Sequence, residues 1–235
     1  MGERSSLTAF FPAYNDQHTI EGIVRTVAQE MRKVTDDFEV LVVDDGSKDQ
    51  TGAILDRLAA ELPFLRVIHH EYNLGYGAAL ITGFKNAKKD LIFYTDGDGQ
   101  YDPGELPLLL KLAGRATGLV NGYKLERHDS VHRIWIGNVY NFCARFLFRI
   151  RIRDIDCDYR LIRRALLDQI HLTSTSGTIC VELVRKLEMS GCDVAEVGVH
   201  HYPRLHGSSQ FFRLRSLAHT LFELLRLWVR VVVLR

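Results

Sequence analysis

The architecture expected of this chain can be worked out from one decapeptide, Leu91-Ile92-Phe93-Tyr94-Thr95-Asp96-Gly97-Asp98-Gly99-Gln100. Its first four residues are apolar or aromatic, a pattern that predicts a short buried β-strand. Two carboxylates follow at positions i and i+2, and the adjacent glycines let the backbone turn sharply. Because open α/β sheets bind ligands where their parallel strands end, we expect Asp96 and Asp98 to lie at a binding edge.

Asp96 and Asp98 suit a divalent cation. Two neighbouring carboxylates repel each other unless positive charge lies between them. Hard ions such as Mg²⁺ or Mn²⁺ take oxygen ligands and also bridge to phosphates, so the pair predicts a metal that holds a nucleotide diphosphate. A solvated Asp/Gly turn is the alternative. An EF-hand is excluded, because Tyr101 and Pro107 stand where that loop needs Gly and Glu.

The composition is that of an ordinary globular domain. Hydrophobic residues make up 46% of the 235 positions and charged residues 25%, so the chain can bury a core. The net charge of +1 gives no overall field that would attract nucleic acid. The four cysteines lack zinc-site spacing, and neither a signal-peptide core nor an apolar stretch of membrane-spanning length is evident. We therefore expect reduced thiols and a cytoplasmic protein.

Strand-like and helix-like segments alternate along the first half of the chain. Apolar runs predict strands over residues 7–11, 38–43, 65–68 and 91–94, with helical spacing of apolar residues between them. This alternation predicts a Rossmann-like α/β fold, a mostly parallel sheet with flanking helices and right-handed crossovers.

Two loops at the strand ends predict contacts to a nucleotide. After the second strand, Asp45 can accept hydrogen bonds from a base or a ribose. After the third, Gly75 and Gly77 open a helix, where backbone N–H groups can approach phosphate closely. An ordinary loop into a helix is the alternative, because an isolated Gly-x-Gly is an unspecific signal.

Four motifs follow one another along the chain. They are Pro12-Ala13-Tyr14-Asn15, Val43-Asp44-Asp45-Gly46-Ser47-x-Asp49, Asn73-x-Gly75-x-Gly77-x-Ala79 and Asp96-x-Asp98-x-Gln100. Together they resemble family 2 glycosyltransferases of the GT-A fold, most closely the dolichyl- and polyprenyl-phosphate glycosyltransferases. The resemblance implies a GT-A catalytic domain over residues 1–210, followed by an extension over residues 211–235.

The resemblance also implies roles for individual residues. The metal ligands for Mg²⁺ or Mn²⁺ would be Asp96, Asp98 and Gln100, with Gly97 beside them. The GDP- or UDP-sugar would be bound by Pro12, Tyr14, Asn15, Asp44, Asp45, Gly75, Gly77 and Ser209. Arg204, in a loop similar to the family's Arg-x-x-Gly-x-Ser loop, would neutralise charge on the leaving nucleoside diphosphate.

The segment Asp154-Ile155-Asp156-Cys157-Asp158-Tyr159-Arg160 carries three carboxylates at alternate positions. If the segment is extended, all three share one face, whereas a turn splays them apart. An acidic loop paired with Arg151, Arg153 and Arg160 is one interpretation. The resemblance instead implies a catalytic-centre segment, with Asp156 or Asp158 as a general base and Arg160 beside them. Asp158 departs from the family pattern, which often has Gly there.

A phosphate acceptor would change what that segment has to do. The second pKa of a phosphate monoester is about 6, so such an acceptor is already ionised and hardly needs a base. Asp156 would then orient Arg160 or the sugar hydroxyls. Lys124, Arg127 and Arg133 are candidates for binding the acceptor phosphate, although a basic cluster also suits a solvated face. Glu182 is predicted to be a pairing residue on a helix surface or at a sheet edge rather than a catalytic residue.

Residues 211–235 carry many apolar residues with five arginines among them, and Glu223 is the single acid. This predicts an amphipathic helix that can lie in a membrane interface near anionic headgroups. A helix packed on the sheet and a homodimer contact are alternatives.

The function expected from the resemblance is a metal-dependent, inverting transfer of a hexose from a nucleotide-diphosphate sugar to a dolichyl- or undecaprenyl-type phosphate. The catalytic candidates are Asp98, Asp156, Asp158, Arg160 and Arg204. The enzyme would be peripheral at the inner face of the membrane. One alternative is transfer to a hydroxyl acceptor, which needs a base. Another is a non-catalytic sugar-nucleotide-binding partner of a membrane protein.

Overall fold

A computed structural model of the chain describes the backbone of residues 6–114, 117–126, 131–203 and 214–233. The strands are β1 (Leu7–Ala13), β2 (Phe38–Asp44), β3 (Leu65–His69), β4 (Leu91–Thr95), β5 (Thr117–Lys124), β6 (Tyr159–Arg163) and β7 (Asp193–Val199). The α-helices are α1 (Ile20–Val34), α2 (Thr51–Glu61), α3 (Tyr76–Asn86), α4 (Leu106–Leu112), α5 (Val131–Phe148), α6 (Arg164–Leu167), α7 (Ile179–Met189) and α8 (Leu214–Trp228). A 3₁₀ turn (Pro103–Glu105) precedes α4, and a π-helical turn (Val229–Val233) extends α8.

The described strands form one sheet in the order β3-β2-β1-β4-β6-β5-β7. Strands β1 to β4 are parallel to one another, and β5 is parallel to β7. Strand β6 runs antiparallel to both β4 and β5. The predicted α/β fold with a mostly parallel sheet and flanking helices is confirmed.

Both faces of the sheet are buried, which explains why its strands have continuous apolar runs. Neighbouring residues on a strand point to opposite faces. On one face Phe10 packs beside Tyr94, and Phe84 from α3 meets the Tyr94 ring edge-on at 5.6 Å between centroids. On the other face Phe93 meets the ring of Tyr159 at 4.8 Å. The ends of β1 and β4 are thus held rigidly by core packing on both sides.

Helix α8 packs onto this core along one side only. Leu224, Leu227 and Val231 are buried in the same core cluster as Phe10 and Tyr94. Nε1 of Trp228 donates a hydrogen bond of 3.0 Å to the carbonyl oxygen of Leu147 in α5. The predicted helix is present over residues 214–228, and the interpretation as a helix packed on the domain accounts for its buried side. The predicted domain boundary at residue 210 lies outside the described residues.

No helix in the described part of the chain combines the length and apolar character needed to cross a bilayer.

Candidate active site

The loop that carries Asp96 and Asp98 lies directly against the loop that follows β1. A side chain at Gly97 would bring its Cβ within 2.9 Å of the carbonyl oxygen of Pro12. The Thr19 hydroxyl donates a hydrogen bond of 3.1 Å to the carbonyl oxygen of Gly97. Asp96 and Asp98 are each partly buried on either side of this glycine. The close contact therefore fixes both carboxylates at the carboxyl edge of β1 and β4, as predicted.

Gln100 ties the same loop to a distant part of the chain. Its backbone N–H donates to Oδ1 of Asp98 at 3.0 Å. Its side-chain Nε2 donates to the carbonyl oxygen of Tyr202 at 3.0 Å, and the N–H of Tyr202 donates back to the Gln100 carbonyl at 2.8 Å. The side-chain nitrogen of Gln100 is therefore bonded to the backbone, and a cation contact by Gln100 would use Oε1.

Two phenols that the sequence analysis did not single out connect Asp96 to the acidic segment. The Tyr76 hydroxyl donates to Oδ1 of Asp96 at 2.8 Å and lies 3.0 Å from the Tyr94 hydroxyl. The Tyr94 hydroxyl in turn donates to Oδ1 of Asp158. Burial raises the pKa of both phenols well above the usual range, and the charges of Asp158 and Asp96 raise them further. Both hydroxyls thus remain protonated hydrogen-bond donors.

Arg160 lies beneath this site rather than in it. Its side chain is fully buried, with Nη1 at 3.0 Å from Oδ1 of Asp158 and Nε at 2.7 Å from Oδ1 of Asn121. Burial lowers the pKa of Arg160, but the Tyr94 hydroxyl oxygen, which accepts from Nη1, and the Asp158 carboxylate outweigh burial and hold the pKa well above its usual value. The ion pair described for Arg160 is with Asp158. The expectation that Asp156 orients Arg160 or the sugar hydroxyls stays a prediction.

The acidic segment turns before β6 begins, so its carboxylates are splayed. Asp154 is buried and accepts a hydrogen bond from the N–H of Asp156 at 3.1 Å. Nζ of Lys124 donates to the carbonyl oxygen of Asp156 at 2.8 Å. Burial lowers the pKa of Lys124, but Asp154, Cys157 and Asp156 more than compensate and raise it. Lys124 therefore stays charged, and its bond to Asp156 joins the acidic segment to the end of β5.

The three arginines expected to pair with the acidic segment have different partners. Of the three predicted partners, Arg160 pairs with Asp158. Nε of Arg153 lies 3.8 Å from Oε2 of Glu196. The backbone N–H of Arg151, not its guanidinium, donates to Oε1 of Glu188 at 2.8 Å.

The predicted nucleotide-binding residues after β1 and β2 are joined to one another. Asn15 has a positive φ of 57°, and its Oδ1 accepts a hydrogen bond from the N–H of Lys48 at 2.8 Å. Asp44 accepts from the N–H of Ser47 at 3.0 Å and from His69 at 2.8 Å. These bonds hold the two loops as a single unit beside Asp96. Tyr14 lies at this edge, partly exposed.

The hydrogen bonds of Asp45 and of the two glycines after β3 differ from the nucleotide contacts that were predicted for them. Asp45 accepts from the N–H groups of Leu74 and Gly75 at 2.9 Å each and from His70 at 2.7 Å, so loop groups occupy the oxygens expected to receive a base or ribose. The N–H of Gly77 donates to the carbonyl oxygen of Thr175 at 2.9 Å. These amides bond within the protein instead of facing a phosphate.

The glycines are required by a neighbouring loop. A Cβ at Gly75 would lie 2.6 Å from the Thr175 carbonyl oxygen, and one at Gly77 would lie 2.3 Å from that of Ser174. Gly75 also has a positive φ of 98°, which glycine adopts without strain. Sequence reasoning could not separate this cause from phosphate binding, because both require the same residue.

The helix-surface position predicted for Glu182 is also corrected, because its side chain is buried. It accepts hydrogen bonds from the N–H groups of Thr173 at 3.0 Å and Ser174 at 2.8 Å. Arg127, Arg204 and Ser209 lie outside the described residues, as does the side chain of Arg133.

The donors present at this edge fit a cation that is shared with a ligand. In the part of the chain that the structure describes, no group of three or more His, Cys, Asp or Glu side chains forms a complete metal site. Mg²⁺ is commonly held by one or two carboxylates together with substrate phosphates. The partly buried Asp96 and Asp98 supply that number of hard oxygen ligands.

Among the described strands, β6 is the one that runs antiparallel to its neighbours, and the fold is the GT-A glycosyltransferase fold of the solved structures described below. Within that class, the chain belongs to glycosyl transferase family 2, whose model matches residues 8–171. The resemblance inferred from the four motifs is confirmed.

Several relatives share most of this chain. The undecaprenyl-phosphate 4-deoxy-4-formamido-L-arabinose transferase of Pseudomonas syringae pv. syringae (strain B728a) is 30% identical over 216 residues, 91% of this chain and 63% of the relative. The transferase of the same description from Pseudomonas aeruginosa (strain LESB58) is 28% identical over 220 residues, 93% of this chain and 63% of the relative. The chain thus spans under two thirds of the length of these curated relatives.

Two solved structures have the same fold. The mannosyltransferase PcManGT from Pyrobaculum calidifontis, in complex with GDP-Man and Mn²⁺, aligns with a TM-score of 0.70 and 21% identity over 97% of this chain and 65% of that one. Glucosyl-3-phosphoglycerate synthase from Mycobacterium tuberculosis, with Mn²⁺, UDP and glucosyl-3-phosphoglycerate, aligns with a TM-score of 0.72 and 19% identity over 97% of this chain and 81% of that one.

Proposed function

We propose that this protein transfers a hexose from a GDP- or UDP-sugar to a polyprenyl phosphate, with inversion at the anomeric carbon. The observation that carries the proposal is the Asp96–Asp98 loop, fixed against the β1 loop at the sheet edge by Gly97 and Thr19. The relatives named above are described as undecaprenyl-phosphate transferases, and the two solved neighbours were determined with Mn²⁺ and a nucleotide.

Asp96, Asp98 and Gln100 would hold Mg²⁺ or Mn²⁺. When bound, the ion supplies Lewis-acid stabilisation of the diphosphate leaving group. The joined loops carrying Pro12, Tyr14, Asn15 and Asp44 would orient the nucleoside beside it, and Asp45 would support them by holding Gly75. Arg204 and Ser209 would close on the diphosphate.

Hydrogen bonding around Asp158 favours a phosphate acceptor over a hydroxyl. Oδ1 of Asp158 accepts from Tyr94, from Arg160 at 3.0 Å and from the thiol of Cys180 at 3.3 Å. Oδ1 of Asp158 thus holds Tyr94, Arg160 and Cys180 in place, a structural role that a phosphate acceptor leaves undisturbed. An acceptor phosphate has a second pKa of about 6 and attacks without such a base. Asp156 remains the candidate base of the hydroxyl alternative.

Two neighbouring helices supply a surface suited to a membrane. On α5, Trp135, Val139, Phe142 and Phe146 recur every three or four residues and are 68%, 42%, 70% and 75% exposed. On α8 and its extension, Leu221, Phe222, Leu225 and Val229 are also exposed. Leu221 and Leu225 share a face with Trp228, which bonds to α5. We call these eight exposed side chains the α5–α8 apolar surface.

The charge beside this surface favours an anionic lipid interface as its occupant. The sequence of α5 contains no Asp or Glu, and Glu223 is the single acid between residues 214 and 233. Arg226 and Arg230 on α8 are exposed. Basic groups around an apolar face attract anionic headgroups while the apolar side chains enter the boundary region. The protein would therefore bind peripherally at the inner face of the membrane, where its acceptor lies.

Release of nucleoside diphosphate tests the enzymatic part of the proposal. With Mn²⁺ and a panel of GDP- and UDP-sugars, we expect release only after undecaprenyl phosphate is added. Asp98→Asn should lower the rate on the order of 100-fold or more, because it removes charge that holds the leaving group. Asp102→Asn is a matched control, since Asp102 only caps the following 3₁₀ turn. Turnover restricted to hydroxyl acceptors, and abolished by Asp156→Asn, would favour the alternative.

A further inference from the structure

We infer that Tyr76 is a positioning residue that fixes the orientation of Asp96 through its partly buried phenol, which contacts the buried phenol of Tyr94. The inference rests on the proposed function, in which Asp96 is a metal ligand. Tyr76 stands between Gly75 and Gly77, and its hydroxyl bonds to Asp96 at 2.8 Å and contacts the Tyr94 hydroxyl at 3.0 Å. A carboxylate held on one oxygen has lost rotational freedom before a cation arrives, so less is lost on binding.

The position of Tyr76 is itself fixed by the protein. Gly75 and Gly77 bracket it, and their N–H groups bond to Asp45 and Thr175. The carbonyl oxygens of Ser174 and Thr175 approach so closely that these two positions cannot carry a side chain without movement. The start of α3 is therefore immobilised, and the Tyr76 hydroxyl is presented to Asp96 from a rigid support.

Counting protons shows why two phenols are needed. Each phenol has one proton, and three contacts of the pair draw on those two protons: Tyr76 with Asp96, Tyr94 with Asp158, and Tyr76 with Tyr94. Nη1 of Arg160 donates to the Tyr94 oxygen at 3.1 Å and competes for its lone pairs. With the Tyr94 proton committed to Asp158, the Tyr76 proton is shared between Asp96 and Tyr94. Arg160 thereby favours donation by Tyr76 to Asp96.

Hydrogen bonds to ligating carboxylates contribute strongly to metal binding, and their loss commonly weakens metal affinity 10- to 100-fold. Tyr76→Phe removes the hydroxyl and keeps the ring. We expect it to weaken Mn²⁺ binding by about 10-fold or more, measured by calorimetry in the presence of GDP and, separately, UDP. The KM for Mn²⁺ should rise by a similar factor, while kcat at saturating Mn²⁺ changes much less.

Tyr159→Phe is the matched control. Tyr159 is also a buried phenol, but its hydroxyl donates to the carbonyl oxygen of Asp102 at 2.9 Å and makes no contact with Asp96 among the described hydrogen bonds. It should lower the unfolding temperature as Tyr76→Phe does and leave Mn²⁺ affinity unchanged.

Each outcome distinguishes the inference from the proposed function. Unchanged Mn²⁺ affinity in Tyr76→Phe overturns the inference while the metal-dependent function stands. An equal loss in Tyr159→Phe also overturns it, since the effect would then follow stability alone. If the wild-type protein fails to bind Mn²⁺ in the presence of GDP and also in the presence of UDP, both the inference and the proposed metal-dependent function are overturned.

Discussion

At the scale of single residues, the fully buried Arg160 has the largest expected effect on stability. Arg160→Met would leave the charge of Asp158 without its partner in a poorly hydrated site. Removing one member of a buried pair typically costs 3–5 kcal/mol, so we expect a loss of about that size in the free energy of unfolding, measured by urea denaturation.

Arg164→Met provides the comparison for that measurement. Arg164 pairs with Asp168 at 3.2 Å on the surface, and exposed pairs contribute only about 0–1 kcal/mol. Equal losses in the two variants would contradict the assignment of Arg160 as a buried structural partner.

Single residues also mark where sequence reasoning succeeded and where it stopped. Asp96 and Asp98 could be placed because the apolar run before them predicts a strand that ends at the binding edge of an α/β sheet. Tyr76 could not be placed, because its role depends on Asp96, Tyr94 and the loop at residues 174–176 meeting in space. A tyrosine between two glycines carries no such signal in one dimension.

At the scale of elements, α7 holds the loop that presses against the start of α3. Glu182 on α7 accepts from Thr173, Ser174 and Lys186, and Ser174 and Thr175 are the residues that meet Gly75 and Gly77. Burial raises the pKa of Glu182, but the bonds from Lys186 and the two amides outweigh burial and lower it below its ordinary value of 4.5. The carboxylate thus stays ionised when the protein is folded.

Glu182→Gln should therefore change both stability and its pH dependence. A carboxyl with a depressed folded pKa contributes stability that is fully present above the unfolded pKa and is lost as the pH falls through the folded pKa. We expect the free energy of unfolding of the variant to be about 1–3 kcal/mol lower than that of the wild type at neutral pH. Below about pH 4.5 the wild type should lose stability faster than the variant, as followed by thermal unfolding across pH. Parallel pH profiles would argue against this role.

Strand β6 is an element that the sequence did not reveal. The four parallel strands that start the sheet are apolar runs of ordinary length, so their periodicity identified them. Tyr159–Arg163 contains two arginines in five residues and follows three carboxylates. It is a strand because Arg160 finds Asp158, Asn121 and Tyr94 in the folded protein, partners that no local pattern predicts.

At the scale of the whole molecule, the α5–α8 apolar surface is the feature to test. Replacing both Phe142 and Phe146 with Ser should reduce binding to vesicles containing phosphatidylglycerol by at least ~10-fold, because two aromatic side chains no longer enter the interface. Binding should also weaken as salt screens Arg226 and Arg230. Co-sedimentation with vesicles measures both effects, and stability should change little because both rings are exposed.

Tyr72→Ser is the control for that experiment, since Tyr72 is 64% exposed in the connection from β3 to α3 and belongs to neither α5 nor α8. Vesicle binding that the double variant leaves intact would contradict a lipid interface. A wild-type dimer that dissociates in the double variant would assign the surface to a second copy of the chain.

The reversed direction of β6 has a consequence for how such a sheet can diversify. In a purely parallel arrangement, only residues that come after a strand reach the carboxyl edge. Because Thr95 pairs with Tyr159, the residues that come before β6 arrive at that same edge from the opposite direction. The segment between Phe148 and Asp158 therefore meets the edge that carries Asp96, and its buried Ile150, Ile152 and Ile155 anchor it in the core. Substitutions at its exposed or partly exposed positions can change that edge without shifting any parallel strand.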